Sequence, residues 1–319
     1  MNKMMLSDLG EKRIIKELSK SLDIGDDAAY IRSGDKYLIL TTDMAYEDTH
    51  IPPQMSWEQK GRLIVTVNLS DIAAMGAKPL VFLLGYGSPD MDYRDFKAFI
   101  NGVHDQCNRF KTKFVGGDTN WMPKLTLSGT LVGETGNPVL RSGAKEGDLI
   151  AVTGNLGSAS IGTKILLERS ISTSELGNPV FQKALQPEPR VDEGLILNQH
   201  VNAMTDISDG LATSLRDVAV NSGVGAKIDI EKLPVAEEAS ILAAEYGLDS
   251  VEHALYGEGD YELLFTSNQK EIDVISRELS VYVIGELKGS EDIVAVDSEG
   301  EFRIKEQGYE HFRSCPQKT

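Results

Sequence analysis

Two α/β halves of α+β type, each a mixed sheet covered by helices, are what this chain predicts. Three observations carry that expectation. The 319 residues suffice for two domains at about 100–200 residues each. Strand-like and helix-like segments are mixed without strict alternation, which points to sheets covered on one side. A turn-rich passage, Gly136-Asn137-Pro138 through Gly143 and Gly147, interrupts the pattern before it starts again. The boundary is set there, giving domains 1–137 and 138–319.

In order, residues 7–20 have helical periodicity. Short apolar runs at 28–31 and 37–41 flank Ser33-Gly34-Asp35 and read as strand, turn, strand. Ser56 with Gln59 forms a capping-box pattern, opening a long helix to about Gly76 on which Asn68 and Asp71 share a face. Residues 79–85 read as a strand, 93–110 as a helix, and 113–115 and 124–133 as strands. The second half opens with a strand at 148–153, the turn Gly154–Gly157 and a helix to about Leu167. Residues 169–189 read as an ordered polar loop. Helix, strand and helix follow across 190–222, then strands at 226–230, 261–266 and 281–284. A hairpin turns at Ser298-Glu299-Gly300.

Composition narrows the function. At 41% apolar and 25% charged residues the chain has globular proportions, and no run reaches the roughly 18 apolar residues of a membrane span. The opening residues lack a signal-peptide core, so the expected location is cytoplasmic. Two cysteines, Cys107 and Cys315, lack a metal-type spacing and predict no disulfide framework. A net charge of −17 argues against nucleic acid, which a basic stripe would meet.

Aspartates recur in short turns: Gly25-Asp26-Asp27, Thr41-Thr42-Asp43, Asn68-Leu69-Ser70-Asp71, Gly116-Gly117-Asp118-Thr119 and Asp206-Ile207-Ser208-Asp209-Gly210. Their apolar flanks place each at a strand end or in the first turns of a helix. Gathered carboxylates repel unless a cation holds them. Mg²⁺ takes oxygen ligands and shares its shell with phosphate oxygens, so the pattern predicts a Mg²⁺–nucleotide site. Asp is also a frequent turn former and N-cap, so the five motifs together carry the reading and no single one does. Leu69-Ser70-Asp71 and Ile207-Ser208-Asp209 hint at two related halves. No phosphate loop and no protein-kinase signature occurs, and Gly154-Asn155-Leu156-Gly157 reads as a plain strand-to-helix turn.

Taken in order, these motifs resemble the thiamine-monophosphate kinase family of the aminoimidazole ribonucleotide synthetase-like superfamily. The likeness runs through Asn68–Ala77, Arg141-Ser142-Gly143-Ala144, Pro189-Arg190, Asp260-Tyr261-Glu262-Leu263 and Gly308-Tyr309-Glu310-His311-Phe312. It implies two aminoimidazole ribonucleotide synthetase-like domains, a homodimer through the first, and ATP between domains. It also implies Mg²⁺ ligands at Asp27, Thr41, Thr42, Asp43, Asp71, Asp118, Asp206 and Asp209, with Asp43, Asp71, Asp118 and Asp206 central to catalysis. Gly117, Asp118, Arg141 and Ser208 match nucleotide-binding positions, and His50 and Tyr309 match contacts to thiamine phosphate. A phosphate-monoester acceptor has a second pKa of about 6, so no general base is required. That suits a chain with only five histidines. One departure stands out: Gly257-Glu258-Gly259-Asp260 where the family reads Gly-Gly-Glu-Asp. Glu258 is expected to take over the thiazolium contact and Asp260 to support the turn.

The alternatives are another ATP-using synthetase of the superfamily, a hydrogenase-type maturation protein, and a metal-dependent phosphatase. A selenophosphate synthetase would carry a reactive Cys near its N-terminus, and none precedes Cys107. A maturation protein would end in a functional Cys, whereas Cys315 is followed by Pro316-Gln317-Lys318-Thr319.

Overall fold

A computed structural model describes residues 4–22 and 24–305. Helices α1 (Leu6–Leu9) and α2 (Glu11–Leu18) come first, split at Gly10 where one helix was expected. Strands β1 (Ala29–Ser33) and β2 (Lys36–Tyr46) form the expected hairpin, followed by the short α3 (Glu47–His50) and the long α4 (Trp57–Ala74). The capping box is formed in both directions: Gln59 N donates to Ser56 Oγ at 3.2 Å and Ser56 N to Gln59 Oε1 at 2.8 Å. Strand β3 (Lys78–Ser88), helix α5 (Tyr93–Arg109) and strands β4 (Lys113–Trp121) and β5 (Thr126–Thr135) complete a sheet ordered β1-β2-β5-β3-β4. Within this sheet only β3 and β4 pair in parallel. Strand β4 runs straight through Gly116-Gly117-Asp118, which the sequence placed in a turn.

The second half comprises β6 (Leu149–Val152), α6 (Ser158–Glu168), α7 (Pro179–Leu185), α8 (Val191–Leu197), β7 (Ala203–Ile207) and α9 (Leu211–Ser222). Then come β8 (Gly225–Asp229), α10 (Glu237–Glu245), α11 (Ser250–Tyr256), β9 (Glu262–Ser267), α12 (Gln269–Ile275), β10 (Tyr282–Lys288) and the hairpin β11 (Ile293–Asp297) and β12 (Gly300–Arg303). Its seven strands are ordered β12-β11-β8-β10-β6-β9-β7. The expected loop at 169–189 instead contains α7. Pro179 is its first residue, where the missing N–H costs nothing. Asn178 caps it by accepting from Val180 N at 2.9 Å, and Val180, Phe181, Ala184 and Leu185 are buried.

Helix α4 organises the site. It is buried nearly all round, including Leu69, Ile72 and Ala73, as befits a helix enclosed between layers. On one side it packs on β2 and β5, on the other on β7 and α8. Truncating a fully buried Leu69 or Ile72 would cost about 2–5 kcal/mol. Helix α5 crosses it at a glycine contact: a Cβ on Gly61 would meet Phe99 O at 2.1 Å, and one on Gly102 would meet Glu58 O at 2.1 Å. Both backbones come this close because neither residue carries a side chain. In β5 burial alternates residue by residue, so the first sheet has one covered and one open face.

Candidate active site

The buried central helix draws three distant segments together. One carboxylate oxygen each from Asp27, Asp71 and Asp206 lie within 4.8 Å of one another. Asp27 precedes β1, Asp71 sits near the end of α4, and Asp206 is on β7 of the second sheet. Neighbouring helix residues reach opposite layers: Ser70 Oγ donates to Asp206 Oδ2 at 2.6 Å, while Asp71 accepts from the Thr41 hydroxyl of β2. Asp71 therefore lies in the last turns of a helix and Asp43 in mid-strand, rather than at the strand ends and first helical turns the sequence suggested. Likewise Leu69-Ser70-Asp71 is helical whereas Ile207-Ser208-Asp209 is a strand-to-helix turn, so the two tripeptides are not structural equivalents.

Asp27 is held firmly. Its Oδ1 accepts from Arg141 Nη2 at 2.7 Å, Arg141 Nε at 3.2 Å and Thr205 Oγ1 at 2.8 Å, and its side chain is fully buried. Its Oδ2 is buried with no partner among the described residues, and buried carboxylate oxygens ordinarily have one. Arg141 also pairs with Asp217 at 3.2 Å, and its main-chain N donates to Asp26 Oδ1 at 3.1 Å. Burial works against the Arg141 charge, but Asp27 and Asp217 outweigh it and raise its pKa. Burial, then the Asp27 charge, lifts Asp26 to about 6. Burial and Asp27 lift Asp206 to about 7, and burial with Asp43 and Asp206 raises Asp71 well above the usual carboxylate range. Asp43 is also raised, chiefly by burial.

Asp43, Asp71 and Asp206 line a cavity of about 210 Å³, whereas Asp26 and Asp27 lie outside its lining. Its acidic lining is Glu11, Asp43, Asp71, Asp206, Asp209 and Glu258, and among the described residues no Lys or Arg lines it. His50, Ser208 and Tyr261 also face it. An all-oxygen donor set with an unmet buried carboxylate oxygen fits a hard divalent cation such as Mg²⁺.

Glu258, expected to contact the thiazolium, lies in the cavity wall; burial and the Asp209 charge raise it to about 7. Asp260 does support the turn: its carboxylate accepts from Gly157 N at 2.6 Å and Ala159 N at 3.2 Å, at the start of α6. The structure does not gather every expected residue. The Thr42 hydroxyl bonds Gly129 O at 2.8 Å and is exposed, turned from the face that Thr41 and Asp43 share, as strand alternation requires. Gly117 and Asp118 are exposed on the edge strand β4, outside the cavity lining. Tyr309 lies outside the described residues. Sequence reasoning missed Glu11, Ser70, Thr205 and Tyr261, because convergence alone makes them part of the site.

Residues 25–135 match the AIR synthase related protein, N-terminal domain, and residues 145–298 its C-terminal domain. Thiamine-monophosphate kinase of Pyrococcus horikoshii is 33% identical over 97% of this chain and 98% of its own. That of Aquifex aeolicus is 34% identical over 97% of this chain and 100% of its own. Among solved structures, AaThiL complexed with AMPPCP and TMP matches with TM-score 0.89 at 33% identity, covering 98% of this chain and 100% of that one. Hydrogenase maturation protein HypE in complex with ATP matches with TM-score 0.70 at 18% identity, covering 90% and 89%, a likeness of fold alone. The chain belongs to the thiamine-monophosphate kinase family of AIR synthase related proteins.

Proposed function

We propose that this chain transfers the γ-phosphate of ATP to thiamine monophosphate, forming thiamine diphosphate. The observation that carries the reading is the cavity itself, lined by Asp43, Asp71 and Asp206 together with Glu258 and His50, in a chain with full-length similarity to kinases of this substrate. AaThiL, with the same architecture, was solved with AMPPCP, an ATP analogue, and TMP together.

Phosphoryl transfer depends on positioning and charge neutralisation more than on covalent help. Asp27, Asp43, Asp71, Asp206 and Asp209, with Thr41 beside them, are the residues to hold Mg²⁺; the family likeness implies Asp118 and Thr42 as further ligands and Gly117 as a nucleotide contact. Bound there, Mg²⁺ supplies the positive charge that lets two phosphate groups approach an acidic wall. The protein keeps the carboxylates in place: Ser70 and Ser208 hydrogen-bond Asp206, Thr41 bonds Asp71, and Arg141 with Thr205 clamps Asp27. Arg141 and Ser208 stand beside the nucleotide. Glu258, His50 and Tyr309 take the thiamine side, with Glu258 facing the cationic thiazolium.

Transfer is direct. Among the described residues one Ser–His pair exists, Ser160 Oγ to His253 Nδ1 at 2.7 Å, outside the cavity lining, and one Thr–His pair, Thr49 Oγ1 to His50 Nδ1 at 2.7 Å, within it. A Cβ on Gly257 would sit 2.4 Å from Ser160 Oγ, so main chain covers that hydroxyl. The acceptor phosphate is anionic near neutral pH and needs no base.

Residues 1–137 form the metal-binding and dimerisation unit, and 138–319 the nucleotide and substrate unit. The open face of the first sheet exposes Ile31, Met44, Tyr46 and Leu83, an apolar surface that a second copy would cover. Light scattering at micromolar protein should give twice the chain mass of 34.9 kDa; a single-chain mass rejects the dimer. The expected setting is the cytoplasm, and no helix among the described residues is long and apolar enough to cross a membrane. Incubation with Mg-ATP and thiamine monophosphate, followed by chromatography, tests the activity. Absence of thiamine diphosphate at saturating substrates rejects it, and a phosphoenzyme trapped with ATP alone rejects direct transfer.

A further inference from the structure

Two non-glycine residues among those described have a positive φ, Lys111 at 54° and Tyr261 at 50°. Lys111 follows the end of α5, where left-handed residues commonly terminate helices. Tyr261 has no such excuse, since it leads into strand β9. A bulky residue stays in that region only where its surroundings over-determine it, and such residues gather at ligand sites.

The surroundings here are explicit. Gly259 N donates to Ser208 O at 2.8 Å and Tyr261 N to Ile207 O at 2.9 Å, stitching the turn to the loop that carries Asp206 and Asp209. Between them Asp260 is anchored on the start of α6. With both neighbours fixed, the Tyr261 side chain lines the cavity alongside Asp43 and Glu258. In a cavity with an acidic wall and, among the described residues, no Lys or Arg, the neutral hydroxyl of Tyr261 is a donor suited to a phosphate oxygen.

We propose that Tyr261 is a substrate-positioning residue whose hydroxyl donates to the phosphate of the acceptor, the strained turn holding it there. This rests on the kinase reading above. Isothermal titration with thiamine monophosphate and with unphosphorylated thiamine, in the presence of Mg²⁺ and AMPPCP, separates the two. Tyr261→Phe should weaken thiamine monophosphate about 10-fold or more, the effect of one hydrogen bond to a charged group. It should leave thiamine and the nucleotide within about twofold, and raise KM for the monophosphate with KM for ATP unchanged. Tyr261→Gly suits the positive φ and should show the same loss for the monophosphate. Monophosphate binding by Tyr261→Phe equal to the unmodified protein overturns the proposal, as does equal loss for thiamine and nucleotide. If the unmodified protein binds the monophosphate but makes no diphosphate, the kinase reading fails while the titration still decides the role of Tyr261.

Discussion

Replacing Asp206 with Asn separates the two roles of the carboxylate cluster, stability of the free protein and affinity for a cation. Asp206 is 4% exposed and its carboxyl is lifted from 3.8 to about 7, by burial first and Asp27 next. That lift corresponds to about 4 kcal/mol disfavouring the charged form in the folded state. Because the folded value is the higher, the folded state binds the proton more tightly. The destabilisation is absent below about pH 4, grows as pH rises to about 7, and is complete above it. Asn keeps an acceptor for Ser208, and the Ser70 hydroxyl can turn to accept from the amide. Without metal at pH 8, Asp206→Asn should therefore gain up to about 4 kcal/mol, offset by about 1 kcal/mol for the poorer hydrogen bonding. At roughly 2 °C per kcal/mol for a chain of this size, Tm should rise by a few degrees. At pH 4 the gain should vanish. Millimolar Mg²⁺ should raise Tm of the unmodified protein and leave the variant nearly unmoved, since only a bound ion adds folding free energy. Differential scanning fluorimetry at the two pH values, with and without Mg²⁺, reads all of this. A variant that melts lower at pH 8 without metal, or gains as much from Mg²⁺ as the parent, refutes the reasoning.

Asp43→Asn and Asp71→Asn should cut turnover by about 100-fold or more while folding survives, as expected when a charged ligand to a charge-stabilising ion is lost; near-normal rates in a coupled ADP assay argue against the metal site. Asp118→Asn isolates the exposed member of the set: a similar loss of turnover with the metal-free Tm unchanged is expected, and full activity removes Asp118 from the site. Glu258→Gln should raise KM for thiamine monophosphate about 10-fold and leave KM for ATP unaltered, the signature of lost ground-state binding; unchanged values for both mean that Glu258 merely lines the wall.

The sequence alone determined whatever is written locally. The capping box at Ser56 and Gln59 set the start of α4, short apolar runs located most strands, and Gly136–Gly147 separated the sheets. The aspartate motifs pointed to a Mg²⁺–nucleotide site, because gathered carboxylates repel one another unless a cation holds them. Tertiary structure decided which of them meet. Asp27, Asp71 and Asp206 converge because α4 is enclosed between two sheets, so that Ser70 and Asp71 reach opposite layers. Pairing register decided that Thr41 faces the cluster and Thr42 does not, and packing made a helix of residues 179–185 within a stretch that reads as a polar loop. The left-handed Tyr261 was invisible beforehand, because a strained backbone is imposed by contacts from Ile207 and Ser208, far away in sequence. Local propensity fixes elements, whereas a site is a property of the distances between them.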